Sequence, residues 1–289
     1  MFNCESREKP CSSCSQCARI DRKVHSDVRY LVPNSSADFI GIHQVKELKS
    51  EVYLKPYEGK NRVVIIDQIH RLTKEASNSL LKILEEPPEN VIFILLTNKF
   101  KSVLPTIVSR CRIFQLKPAS RNAISLYLKN NFSLNHEMTN EISAISEGRI
   151  GWAINASNDF QIVENLKKEI IEINHIFNSG IDEKFKYIDN LASEFSSDRN
   201  SLPMKLQLWI DFLRDLILYK SGFQERLKFS MMKKDYQIIA SQISYLEIVK
   251  LIENLDAITL YFDNNVNPKL LLERFVLDLP EIRGSFNGI

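Results

Sequence analysis

The sequence predicts a parallel α/β unit followed by an all-helical remainder, and three observations carry that prediction. Continuously apolar, β-branched runs at 63–66 and 91–96 alternate with amphipathic helical segments, which is the pattern of a parallel sheet covered by helices. Beyond Pro118 the β signal fades and helical periodicity dominates. Four of the five cysteines lie within the first 17 residues, ahead of the sheet.

The elements follow in order. Residues 28–32 are β-prone and closed by Pro33 and the polar turn Asn34-Ser35-Ser36, so they read as a buried strand. A helix with Ile42, Val45 and Leu48 on one face should come next. The run 62–66 is apolar after Arg62 and ends at Asp67, which then sits at the carboxyl end of a strand expected to be covered on both faces. Thr73 can cap the following helix, Glu75 suits its positive N-terminus, Leu80, Leu81 and Leu84 form its apolar face, and Pro87-Pro88 forbids continuation. A second buried strand spans 91–96 before Thr97-Asn98, a short helix runs through Ile107 and Val108, and a third strand is expected over 111–116. Helical stretches are then expected at 121–130, 159–174, 206–219 and 245–255, with Gly148 and Gly151 near a helix boundary and 157–159 as the linker.

Composition bounds what such a chain can do. Its 289 residues suffice for two or three domains, and a 44% hydrophobic content can supply a sizeable core. Lys and Arg total 38 against 36 Asp and Glu, so the net charge of +2 gives no whole-molecule pull toward nucleic acid or anionic lipid. The longest apolar runs fall far short of the roughly 20 residues that span a bilayer, and the N-terminus has no apolar signal core, so the expected location is cytoplasmic with no membrane partner.

Cys4, Cys11, Cys14 and Cys17 follow the spacing C-x6-C-x2-C-x2-C over a turn-forming segment. Four thiolates close a tetrahedral zinc shell with no vacant position for a substrate water, so structural Zn²⁺ is expected, not catalytic. Reduced cysteines without metal, an oxidised set, or an iron–sulfur cluster are the alternatives. His25, His43, His70, His136 and His175 are scattered without ligand spacing and join no metal site; His70 reads as structural.

Asp67 at a strand's carboxyl end is where α/β proteins place ligands, although a lone aspartate there is more often simply solvated. It is not alone. Asp67-Gln68-Ile69-His70-Arg71-Leu72-Thr73, the helix Ser79-Leu80-Leu81-Lys82-Ile83-Leu84-Glu85-Glu86-Pro87-Pro88, and Ser109-Arg110-Cys111 arrive in one order and spacing. This pattern, from Cys4 to about Ala153, resembles the AAA+ subunits of bacterial clamp loaders. The resemblance implies an N-terminally truncated AAA+ domain over 1–117 with a zinc module at 4–17, a helical lid over 118–157 and an all-helical collar over 158–289. It places Asp67 at the Walker B aspartate, Thr97 and Asn98 at sensor 1, and Arg110 at the arginine finger. Arginine suits that role because its guanidinium is always charged and forks two parallel hydrogen bonds to phosphate oxygens; an isolated arginine would read as a surface ion pair.

The sequence departs from an active ATPase at three places. No G-x-x-x-x-G-K-[ST] occurs, so no glycine loop cradles phosphates. Gln68 replaces the glutamate that polarises water in active relatives, and an amide cannot accept that proton. Gly151 holds the family's sensor 2 arginine position, with Arg149 two residues too early. These losses favour the stator type of subunit, without intrinsic hydrolysis, over the tau/gamma motor, with ATP and Mg²⁺ bound only by neighbours. The implied partners are the tau/gamma and delta subunits and, through the complex, the sliding clamp and primed DNA of a DNA polymerase III holoenzyme. In this family a strand and phosphate loop precede the zinc module in mid-sheet, so an upstream start or a fragment is expected.

Two rivals remain: a tau/gamma-like or independent AAA+ ATPase truncated at its start, and a zinc-dependent DNA-binding adaptor, which leaves the Asp67-to-Cys111 motifs unexplained. Lys99, Lys101 and Arg112 could touch DNA phosphates, but with so little net charge a solvated face is the better reading. Leu208, Trp209, Phe212 and Leu213 recur at helical spacing, as core or as a face for neighbouring subunits.

Overall fold

The structure is a computed structural model that describes residues 4, 6–33, 39–197, 201–261, 268–280 and 282; the turn expected at Asn34-Ser35-Ser36 lies outside them. The chain divides into two compact units, residues 1–115 and 116–289.

In the first unit, α1 (Ser15–Asp21) precedes β1 (Val28–Leu31), α2 (Ile42–Val52), β2 (Arg62–Ile66), α3 (Lys74–Glu85), β3 (Val91–Leu95) and α4 (Pro105–Val108). The strands form one parallel sheet in the order β1-β2-β3, with Leu31 opposite Ile66 and Ile66 opposite Leu95. Period-two alternation sends Leu31, Val64 and Ile66 to one face, where they pack with Val45, Leu48, Leu80 and Ile83 of α2 and α3 and with Ile107 of α4. Thr73 caps α3 as expected, its hydroxyl accepting the Ala76 N–H at 3.2 Å.

Two expectations fail here. The strand expected to be buried over 91–96 has one open face, because Ile92 and Ile94, which share the face of Val63 and Ile65, are 45% and 42% exposed. The strand expected over 111–116 does not form. Its apolar residues Ile113, Phe114 and Leu116 are exposed, and no described strand pairs with that segment. A β-prone run becomes a strand only when a neighbour accepts its backbone groups, and local composition does not encode that neighbour.

The second unit holds α5 (Arg121–Asn131), α6 (His136–Ile145), α7 (Ile150–Asn158), α8 (Gln161–Asn178), α9 (Ile181–Ser197), α10 (Ser201–Lys220), α11 (Lys233–Gln242), α12 (Tyr245–Tyr261) and α13 (Pro268–Leu277). One hydrophobic cluster runs from Ile124 through Ile170 and Phe212 to Leu272 and Val276. Trp209, Phe212 and Leu213 of α10 are buried at its centre, with Trp209 edge-on to Phe275 at 5.3 Å between ring centroids. This settles their sequence-level ambiguity in favour of core.

Between α6 and α7 the chain turns at Glu147 (φ 48) and Gly148 (φ 87). Glycine is required at the second position by its positive φ and because a Cβ there would lie 2.7 Å from the Ala119 carbonyl oxygen. The turn presents Glu147 to a charged network. Lys228 Nζ reaches Asp211 at 2.5 Å and Glu147 at 2.8 Å, and Arg214 reaches Glu147 at 2.5 Å. Beside it, the buried Asp215 accepts the N–H groups of Lys228 and Phe229.

Burial pushes the Asp215 carboxyl up to about 6, against those N–H donors and nearby Arg214, and with Asp211 adding to the rise. A carboxyl raised on folding stabilises fully below its unfolded value and loses that contribution as pH rises through its folded value. The folding stability of wild type relative to Asp215→Asn should therefore fall, by on the order of 2–3 kcal/mol, between pH 4 and pH 7. Urea midpoints of both proteins at each pH measure this: the fixed cost of the amide cancels, and a pH-independent difference refutes the raised carboxyl.

Candidate functional site

Two groups of predicted residues stand at opposite ends of the small sheet. At the amino ends lies the cysteine module. The Sγ atoms of Cys4, Cys11, Cys14 and Cys17 all lie within 4.8 Å of one another, with Cys4 and Cys17 buried. A tetrahedral zinc shell with bonds near 2.3 Å needs sulfurs about 3.8 Å apart, so the set fits the ion with small adjustment. The Cys14 sulfur caps α1 by accepting the Cys17 N–H at 3.5 Å, and Cys11 Sγ accepts the Cys14 N–H at 3.3 Å. Bonds from the Ser13 hydroxyl and backbone, then from Cys14, draw the Cys11 thiol down to about 5, whereas burial pushes Cys17 up to about 11. A cation among the four sulfurs would favour the thiolate at every one.

The module is tied to the sheet by polar contacts that sequence reading missed. Glu58 accepts from Arg19, from Gln16 at 3.1 Å and from Ser26 at 2.9 Å, and these bonds, Arg19 foremost, hold its carboxyl down at about 2. The buried Asp27, immediately before β1, accepts the N–H groups of Tyr57, Glu58 and Gly59 at 2.6–2.8 Å. Burial works against its ionisation, yet these three donors keep it below the usual carboxylate range. His25 bridges the two, its Nε2 paired with Gln16 Oε1 at 2.8 Å and its Nδ1 accepting the Asp27 N–H at 3.0 Å.

At those carboxyl ends the structure brings Asp67 and Thr97 onto adjacent strands. The Asp67 N–H bonds the Leu31 carbonyl at 2.9 Å, and Gln68 turns the chain in a left-handed conformation (φ 54), which is uncommon for a side chain other than glycine. The turn is knitted to the next strand, with the Ile69 N–H on the Leu96 carbonyl at 2.9 Å and His70 Nδ1 on Thr97 Oγ1 at 3.0 Å. Thr97 Oγ1 also accepts the Lys99 N–H at 3.0 Å, while Asn98 is exposed. His70, structural by sequence reading, thus orients the threonine at the predicted sensor 1 position.

Arg110 lies elsewhere. It follows α4, with its N–H on the Ile107 carbonyl at 3.1 Å, and its guanidinium meets Glu85, the last residue of α3, at 2.6 Å. The Asp67 turn leads into the other end of α3, and a 12-residue helix is about 18 Å long. In the second unit, Arg149 donates through Nε to the Ser146 carbonyl at 3.0 Å and sits 3.7 Å from Glu147. Arg112 stacks on the Phe114 ring at 5.0 Å. Among the described residues no helix is long and apolar enough to cross a membrane.

Comparison with known proteins shows what the chain is similar to. Residues 1–120 match the family described as DNA polymerase III, delta subunit. The DNA polymerase III subunit delta′ of Buchnera aphidicola is 27% identical over 98% of this chain and 85% of its own length. That of Bacillus subtilis is 25% identical over 97% and 84%. The subunit tau of Bacillus subtilis is 37% identical, but over 42% of this chain and 22% of its own length. A small three-stranded parallel sheet with many helices agrees with the AAA+-like fold implied by the motifs. The first 120 residues match the DNA polymerase III delta family, and along nearly its whole length the chain is similar in sequence to DNA polymerase III delta′ subunits.

Proposed function

We propose that this chain acts as the delta′-type subunit of the DNA polymerase III clamp loader. It assembles with tau/gamma and delta subunits, supplies Arg110 in trans to ATP and Mg²⁺ bound by a neighbour, and supports loading of the sliding clamp onto primed DNA. The supporting observation is the separation of Arg110 from the chain's own Asp67 turn by the length of α3, which suits an arginine that serves another subunit. Asp67, Thr97 and Asn98 then form a degenerate nucleotide site, in which Gln68 offers no base. The cysteines hold structural zinc, residues 118–157 act as a lid, and residues 158–289 form the collar through which subunits associate.

The mechanism is one of assembly and charge placement. A guanidinium at a γ-phosphoryl group stabilises the charge that develops as the group transfers, and Arg110 stands on an exposed corner able to reach across an interface. The test is reconstitution with the cognate subunits and clamp. Loading that requires this chain supports the proposal; failure to associate, together with ATP hydrolysis by the chain alone, overturns it in favour of an independent ATPase.

A further inference from the structure

We propose that Glu85 is the positioning residue for Arg110, fixing its guanidinium so that one two-pronged edge faces outward toward phosphate; this rests on the finger reading above. Both partners stand on elements anchored in the same core. Glu85 ends α3, whose Leu80 and Ile83 are fully buried, and Pro87-Pro88 closes the helix two residues later. Arg110 follows α4, whose Ile107 is 2% exposed in the same cluster.

Three contacts converge on the guanidinium. Nη1 donates to the Thr106 carbonyl at 2.9 Å and to Ser109 Oγ at 3.3 Å, while Nη2 donates to Glu85 Oε1 at 2.6 Å. A guanidinium carries five donors. One N–H on Nε and one on Nη2 are then left without an acceptor among the described residues, donors that an outside phosphate can take up. The negative end of α3 adds to the pull of the carboxylate on the cation.

An ordinary exposed ion pair holds little, because two long side chains wander. Here the carboxylate springs from a packed helix end, and the arginine is already gripped at Nη1. Glu85 acts through Arg110 and touches no substrate.

The experiment measures DNA-stimulated ATP hydrolysis by the reconstituted complex carrying Glu85→Ala, Glu85→Gln, Arg110→Ala, or Arg110→Ala with Glu85→Ala. Glu85→Ala should lower kcat about tenfold at the served site with KM for ATP unchanged. Glu85→Gln, which keeps an acceptor, should retain most of the rate, and Glu85→Ala should add nothing once Arg110 is gone. A loss of the same size in the Arg110→Ala background marks a structural role and overturns the inference. So does an unchanged or raised kcat for Glu85→Ala while Arg110→Ala is impaired, which leaves the finger reading intact. An unimpaired Arg110→Ala complex removes the finger reading itself, and the inference with it.

Discussion

Replacing Arg110 with alanine should abolish most hydrolysis at the neighbouring ATP site while the complex still assembles. An arginine finger contributes about 10³-fold or more to kcat where it acts, because it neutralises charge present only as the phosphoryl group transfers. Over the whole ring the measured loss is smaller, limited by sites served by other subunits. The chain itself should fold normally, because Arg110 is exposed and its contacts with Glu85, Thr106 and Ser109 lie outside the buried cluster that holds Ile107. Lysine at this position should rescue poorly, since an ammonium cannot present two parallel donors. Steady-state DNA-stimulated hydrolysis, with size-exclusion chromatography as the assembly control, tests this. Full activity in an assembled Arg110→Ala complex would end the finger assignment.

Stripping the metal, or replacing Cys14 with serine, should unfold the segment before β1. Cys14 does two things at once: its sulfur is one of four converging on a common point, and it caps α1. Zinc binding by small thiolate modules is worth roughly 10 kcal/mol or more, and that energy is folding energy because the unfolded segment has no preformed site. The purified chain should carry about one zinc, by elemental analysis, with four cysteine ligands. After chelation, proteolysis should cut within residues 4–21, while the helical unit, whose core holds no cysteine, keeps its circular dichroism. A visible charge-transfer band with bound iron would show a cluster instead of zinc. Reduced cysteines with no metal and an uncut segment would remove the metal altogether.

Much of the first unit was legible in the sequence, for identifiable reasons. The strands at β1, β2 and β3 announced themselves through β-branched runs, and α3 through its threonine cap, leucine face and double proline. The four-cysteine spacing forecast a cluster because short turns leave closely spaced sulfurs few ways to avoid one another. Arg110 and Asp67 could be singled out only as members of a motif order, since neither stands out by local chemistry.

What the sequence could not supply were relations between distant residues. Glu85 was one residue of the motif helix, and only the packing of α3 and α4 on one core shows it against Arg110, 25 residues away in the chain. His70 read as structural, but its partner Thr97 was not foreseen, and Asp27 and Glu58 carried no signal until the loop at 57–59 closed on them.

The failed strand at 111–116 and the bare face of β3 share one cause. Side-chain pattern reports what a segment would do if it had a partner, whereas pairing and cover are decided by which other segments are brought alongside. By itself the sequence determined most of the element types in the first unit, the clustering of four cysteines and the glutamine that follows Asp67, because each depends on residue identity and near neighbours. The tertiary structure alone decided which end of α3 each charged group occupies, which strand edges are covered and which carboxylate holds the arginine, because those depend on contacts closed across long stretches of chain.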